Sequence, residues 1–188
     1  SIGFLMNNIN NEDLNEVIAN SKKSEFKPLK MSAFSLDNKK FEAYAYNEVS
    51  IMRQTHLASK IKIKINDQIK MNELICDGVL LSTSAGSTAY NLSAHGSILP
   101  LDSNILALTP ISAFRPRRWR GALLSEISKI EFEVLDQNER SSSVTADNVE
   151  FRNIKKVNVI SSNENKCKVL FDSKHSIEDK ILNEQFNY

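Results

Sequence analysis

Polar and apolar residues alternate without interruption along Lys60-Ile61-Lys62-Ile63-Lys64-Ile65. A period of two places all three isoleucines on one face, the pattern of a strand with one side buried. Asn66 and Asp67 follow as a turn signal. Residues 41–53, 79–83, 129–135, 157–160 and 167–171 have the same strand character, and residues 136–139 predict a hairpin loop joining strands around Val134 and Val144. Helical spacing is confined to residues 12–19, 87–94 and 177–185. In the first of these, Asn10 or Asn11 is the expected cap, Glu12 and Asp13 lie at the positive end of the dipole, and Leu14, Val17 and Ile18 share a face. Residues 21–28 are polar and predict a connector. Many short strands with regular turns and few helices indicate a mostly β fold, an antiparallel sandwich-like domain with a few short helices. The expected division is residues 1–30 with the first short helix, 31–172 as the β-rich domain, and 173–188 as a helical tail.

Composition narrows the function classes. Of 188 residues, 41% are hydrophobic and 25% charged, ordinary for a globular domain, so disorder and a fibrous class are set aside. The formal charge of +1 gives no electrostatic reason to expect nucleic acid or an anionic membrane. Cys76 and Cys167 are too far apart in sequence for a metal pair or a disulfide framework. His56, His95 and His175 show no metal-ligand spacing. No apolar run reaches the roughly 20 residues of a membrane-spanning helix, and no leader pattern opens the chain. A cytoplasmic location is therefore expected.

Only five glycines occur, and Gly78, Gly86 and Gly96 fall in one stretch. The segment Cys76-Asp77-Gly78-Val79-Leu80-Leu81-Ser82-Thr83-Ser84-Ala85-Gly86-Ser87-Thr88-Ala89-Tyr90-Asn91 predicts a turn, a buried strand, a small-residue loop and a helix start. Free backbone N–H groups at such a helix start attract ligand oxygens. Hydroxyls of Ser and Thr add donors without bulk, and Tyr90 adds a ring able to stack. A plain capped helix after a core strand accounts for the same pattern equally well. The Gly-Lys-Ser/Thr ending of a P-loop is missing.

Residues 77–93 resemble the DGxxxSTPTGSTAYxxS signature of the NAD kinases, with Ser84 for the usual Pro and Ala85 for the usual Thr or Ser. The first departure is expected to loosen the loop, and the second to remove a hydroxyl from the nucleotide site. Tyr46-Asn47-Glu48-Val49-Ser50-Ile51 is similar to the family's ALNEVxI segment, and Thr145-Ala146-Asp147-Asn148 to a family turn with an Asp. Arg115-Pro116-Arg117-Arg118-Trp119-Arg120 resembles the alpha-proteobacterial form, and Gly3-Phe4-Leu5 the LGFL that follows the N-terminal lobe. The family's GGDG, whose Asp is the expected general base, lies before LGFL and does not occur in this chain. The resemblance thus implies the β-rich C-terminal domain without the N-terminal α/β lobe, residues 1–30 being the remnant of the segment between lobes.

It further implies a phosphoryl transfer from ATP or polyphosphate, with Mg²⁺, to the 2′-hydroxyl of the adenosine ribose of NAD, giving NADP. By the same resemblance Asn47 bonds the adenine or ribose and Glu48 the ribose hydroxyls, while Ala85, Thr88, Ala89, Tyr90 and Ser93 line the dinucleotide. Asp77 reaches the nicotinamide end, Ser112 and Phe114 face it from a neighbouring subunit of a homodimer or homotetramer, and Asp147 and Asn148 lie near the reacting ribose. Each has a structural counterpart: a solvated Asn-Glu turn, a core Tyr with a wet hydroxyl, an Asp-Gly turn, a plain turn at residues 147–148. Arg117 and Arg118 are possible phosphate contacts, and stacking of the arginines on Trp119 explains their clustering as well. Binding of NAD or NADP without turnover is expected of this chain alone. Two alternatives remain, a lipid or sphingoid kinase of the same superfamily and a non-catalytic β domain acting in assembly.

Overall fold

A computed structural model of the chain describes Met6, residues 13–171 and residues 177–186. Among the described residues fourteen strands follow one another: β1 (Lys22–Phe26), β2 (Leu29–Ser35), β3 (Lys40–Ala45), β4 (Glu48–Arg53), β5 (Ser59–Ile65), β6 (Gln68–Cys76), β7 (Gly78–Ser82), β8 (Ile105–Ile111), β9 (Ala122–Ser125), β10 (Ile130–Leu135), β11 (Ser142–Ala146), β12 (Val149–Phe151), β13 (Ile154–Ser161) and β14 (Cys167–Phe171). Helix α1 (Leu14–Ala19) precedes them, a 3₁₀ turn (Ala85–Thr88) and α2 (Tyr90–Ser93) interrupt them, and α3 (Ile177–Phe186) follows. Two six-stranded sheets form, ordered β3-β2-β13-β10-β5-β6 and β12-β11-β4-β7-β8-β9, with β1 and β14 paired as a separate ribbon. All pairings between these strands are antiparallel. The fold is therefore the mostly β, sandwich-like architecture that the strand pattern predicts.

The alternation of residues 60–65 does what its period requires. Ile61 and Ile63 are buried in one core with Leu29, Met31, Phe132 and Val157 of the same sheet and with Ile51, Val79, Leu81 and Val144 of the other. On the opposite face Lys62 pairs with Glu133 at 3.0 Å and Lys64 with Glu131 at 2.8 Å, following the strand register. Such half-exposed pairs are worth about 0–1 kcal/mol each. Their clearer effect is to neutralise a face that would otherwise present a row of lysines.

In the second sheet β7 is buried along its whole length. Val79 and Leu81 enter the core between the sheets, and the fully buried Leu80 points the other way. The 3₁₀ turn and α2 cover that outer face. A strand buried on both sides has no polar alternation, which explains its unbroken apolar run.

Several expectations are corrected. Residues 21–28 are not merely a connector, since β1 pairs with β14 from Lys22↔Phe171 to Phe26↔Cys167. Residues 136–139 do not close a hairpin: β10 pairs with β5 and β13, whereas β11 pairs with β4 and β12, so this loop crosses between sheets. The run 41–53 is broken at Tyr46 and Asn47 into β3 and β4. The helix expected at 87–94 is split at Ala89 into the 3₁₀ turn and a single α-turn. Asp13 caps α1 by accepting from the Asn15 N–H at 2.9 Å, while Asn10 and Asn11 lie outside the described residues, as do Gly3-Phe4-Leu5.

Candidate functional site

The break between β3 and β4 has a definite cause. Asp147, in the β11–β12 turn with φ 49°, accepts the N–H groups of Tyr46, Asn47 and Glu48 at 2.7, 2.9 and 3.2 Å. One carboxylate thus satisfies three consecutive backbone donors, which a ladder partner does elsewhere in the sheet. Asn148, next along the same turn, is exposed.

From the other side the small-residue loop closes on the same place. The Asn47 carbonyl accepts the Thr83 N–H at 2.9 Å, and Thr83 Oγ1 donates to the Tyr46 carbonyl at 2.6 Å. Thr83 Oγ1 also accepts the Gly86 N–H at 3.0 Å. A Cβ on Gly86 would sit 2.2 Å from the Asn47 carbonyl oxygen, so only glycine admits this contact. Ser87 Oγ donates to the Ser84 carbonyl at 2.7 Å and accepts the Leu99 N–H at 3.0 Å. Asn91, fully buried, donates to the carbonyls of Ser87 and Ser97 at 3.0 and 2.9 Å and accepts from Thr109 at 2.7 Å. Asn91 and Thr109 are not among the candidate contacts named from sequence. A buried amide inside a family motif was the signal available for Asn91, and none marked Thr109.

Three segments separated by up to about a hundred residues thereby meet: residues 46–48, 83–93 and 147–148. Glu48 projects a carboxyl whose buried Oε2 has no hydrogen-bond partner among the described residues. Burial, and then the neighbouring Asp147 charge, push its pKa up to about 7. Tyr90 is 37% exposed, and its hydroxyl lies 3.7 Å from Met52 Sδ. Burial together with the charges of Glu48 and Asp77 raises its pKa. Thr88 is buried, Ala89 half-buried and Ser93 exposed beside it. The Asn47 side chain carries no hydrogen bond among the described residues, only its backbone being engaged.

Asp77, Ser112 and Phe114 gather at the opposite end of β7, about 13 Å away at 3.3 Å per residue. Asp77 is held by Arg53 Nε at 2.7 Å, a partner with no sequence signal. Its N–H donates to the Ile111 carbonyl at 3.0 Å, just before Ser112, whose φ is 49°. Phe114 is 49% exposed, and the Arg115 and Arg117 guanidiniums lie 5.5 and 5.3 Å from its ring centre. The stacking ring is thus Phe114 and not Trp119, which packs its side chain against the main core. Arg118 is exposed.

Both departures from the family loop have local explanations. Ser84 does not loosen the loop, because its hydroxyl donates to the Leu101 carbonyl at 2.7 Å. Ala85 packs with Phe26, Leu101, Phe171 and Ile181 in a second apolar cluster, so a hydroxyl at that position would enter this cluster. What Ala85 can offer a ligand is its backbone.

Among the described residues no three His, Cys, Asp or Glu side chains are grouped to hold a metal. No helix among them is long and apolar enough to cross a membrane. The two cysteines are free, and burial pushes the Cys76 thiol up to about 12.

The antiparallel sandwich thus sets one unpaired carboxyl and one half-exposed tyrosine beside a glycine loop. The family model of the ATP-NAD kinase C-terminal domain matches residues 46–171. The chain is 47% identical over 188 residues to the NAD kinase of Hyphomonas neptunium, covering all of this chain and 74% of that protein. It is 50% identical over 186 residues to that of Rickettsia bellii, covering 99% of this chain and 73% of that protein. The fold matches the crystal structure of yeast NADH kinase complexed with NADH, with a TM-score of 0.75 at 23% identity over 88% of this chain and 49% of that one. It also matches an NAD kinase from Archaeoglobus fulgidus in complex with ATP, with a TM-score of 0.69 at 21% identity over 87% of this chain and 60% of that one. The chain belongs to the NAD kinase family of phosphotransferases. The sphingoid-kinase and assembly-domain alternatives are not favoured by these relatives.

Proposed function

We propose that residues 31–172 form the NAD-binding domain of an enzyme that phosphorylates the 2′-hydroxyl of the adenosine ribose, and that this chain alone binds NAD or NADP without turning it over. The observation that carries the reading is the convergence of Asn47, Glu48, the 83–93 loop and Asp147 around one backbone carbonyl. Asn47, with a free side-chain amide, bonds the adenine or ribose. Glu48 accepts from the ribose hydroxyls, which gives its unpartnered oxygen a donor. Tyr90 offers its half-exposed ring for stacking, Thr88 bonds the adenine, and Ala85, Ala89 and Ser93 supply the wall. Asp147 and Asn148 stand near the reacting ribose. Asp77, with Ser112 and Phe114, serves the nicotinamide end, completed across a subunit contact in a homodimer or homotetramer. A soluble cytoplasmic setting suits such an assembly.

The chemistry lies elsewhere. Phosphoryl transfer depends on positioning and on a carboxylate that takes the hydroxyl proton, and the GGDG expected to carry that carboxylate is not in this chain. ATP or polyphosphate is the proposed donor. A divalent cation such as Mg²⁺ is proposed to accompany the donor phosphates. Calorimetry with NAD tests the reading. The chain should bind NAD, and Asn47→Ala should weaken binding by about 1–3 kcal/mol, with no NADP formed. Equal affinities for the two proteins would remove Asn47 from the site, and NADP formation would place the base within these residues.

A further inference from the structure

Beside the dinucleotide surface lies a pocket of about 340 Å³ lined by Ala94, His95, Pro110, Ser112, Ala113, Arg117, Trp119 and Arg120. Its volume is at the lower end of the roughly 300–1,000 Å³ that hold small ligands. Its walls are fixed by contacts already described. Asn91 holds the end of α2, the Gly96 N–H donates to the Asn91 carbonyl at 2.8 Å, and His95 turns back with φ 63°. On the other side Trp119 is seated against the core.

Its charge is unbalanced. Arg115, Arg117, Arg118 and Arg120 fall within six residues, and none forms an ion pair among the described residues. Elsewhere Arg53, Lys62, Lys64 and Lys156 each meet a carboxylate. No carboxylate lines the pocket, while two guanidiniums do. Arg117 is further oriented by lying over Phe114, which limits the rotamer freedom lost when it grips a ligand. A guanidinium fork without a protein partner matches phosphate oxygens in pairs. Pro110 and Trp119 add apolar walls.

We propose that this pocket is a second anion site, separate from the adenosine surface, that takes an oligophosphate, either inorganic or carried by a nucleotide. No side chain assigned to the adenosine half lines it, although Ser112, assigned to the nicotinamide end, does, so the proposal rests on the NAD reading only at that end. The probe is inorganic triphosphate, titrated calorimetrically into the 188-residue chain at fixed salt. Arg120→Gln should weaken triphosphate binding about tenfold and leave NAD affinity unchanged, and adding Arg117→Gln should weaken it further by a similar factor. Arg120→Lys should restore part of the loss, since the charge returns without the fork. Circular dichroism of each variant should match that of the parent, because both arginines are exposed. Asn47→Ala should weaken NAD binding and spare triphosphate. Binding of ATP more tightly than triphosphate would assign the nucleotide-borne form, and equal binding the inorganic form. No triphosphate binding at millimolar concentration, binding indifferent to both arginine replacements, or equal loss with Asn47→Ala would overturn the proposal while leaving the NAD titration to stand or fall by itself.

Discussion

Replacing Glu48 by Gln isolates the cost of an unpaired carboxyl. In the unfolded chain this group titrates near 4.5, and in the folded chain near 7, because burial and the Asp147 charge both oppose its ionisation. Between those values the folded chain holds a proton that the unfolded chain has released. Stability therefore falls as pH rises from about 4.5 to about 7, and the loss is complete above that window. Taken whole, the displacement is worth about 3 kcal/mol. The carboxyl is only partly buried, and solvent screening reduces this to about 1–2 kcal/mol. Glu48→Gln keeps the shape and removes the charge. Urea denaturation should show the two proteins equal within about 0.5 kcal/mol at pH 4.5, and the variant more stable by about 1–2 kcal/mol at pH 8. In thermal melts the same difference is about 3–6 °C. NAD affinity should move the other way, because an amide cannot accept two ribose hydroxyls as a carboxylate does. Parallel stability curves for the two proteins between pH 4.5 and 8 would refute the assignment of a raised Glu48 pKa.

Other substitutions probe the frame around it. Gly86→Ala places a methyl against the Asn47 backbone at 2.2 Å, and should cost about 2–3 kcal/mol in urea melts and abolish detectable NAD binding. Asn91→Ala strands two carbonyls and the Thr109 hydroxyl, and should cost about 3 kcal/mol, read by the same melts. Asp147→Ala leaves three amides without an acceptor and removes the second cause of the raised Glu48 pKa. It should cost about 2–4 kcal/mol at pH 7 and make the decline of stability between pH 4.5 and 7 shallower.

Strands with one wet face were legible by alternation, and β7, buried on both faces, by its unbroken apolar run. Lys60 to Ile65 alternates because its lysines stand opposite Glu131 and Glu133, and nothing else in the fold contests that pattern. The partner sheet of a strand was not legible. Val134 and Val144 have the same local pattern, yet belong to different sheets, and the four residues between them are as suitable for a crossing as for a hairpin. The break at Tyr46 and Asn47 was hidden for a related reason. Its cause is Asp147, a hundred residues along, and the local sequence continues a strand. The candidate site residues came from motif resemblance, which proposed Asn47, Glu48 and Tyr90 but not the Arg53 that holds Asp77 or the Met52 beside the Tyr90 hydroxyl. Neither residue type announces such a contact.

The hydrogen bonds in the 82–91 loop also change what its motif means. Ser82, Thr83, Ser84, Ser87 and Asn91 all direct their side chains to groups of the protein itself. These hydroxyls and this amide, buried with their partners, set the loop's path, and glycine at 86 lets that path touch Asn47. In the proposed site a ligand would then be met by backbone and by the few side chains left over, chiefly Asn47, Glu48 and Tyr90. A run of small polar residues is therefore selective here through geometry more than through contact. Its members share acceptors, so their effects should be coupled. Thr83 Oγ1 donates to the Tyr46 carbonyl and accepts the Gly86 N–H, so Thr83→Val and Gly86→Ala both disturb the one contact between the loop and residues 46–47. The double variant Thr83→Val with Gly86→Ala should consequently lose much less stability than the sum of the two single losses. A strictly additive result in denaturant titrations would mean that the two residues hold separate structures, and that Asn47 is positioned by Asp147 alone.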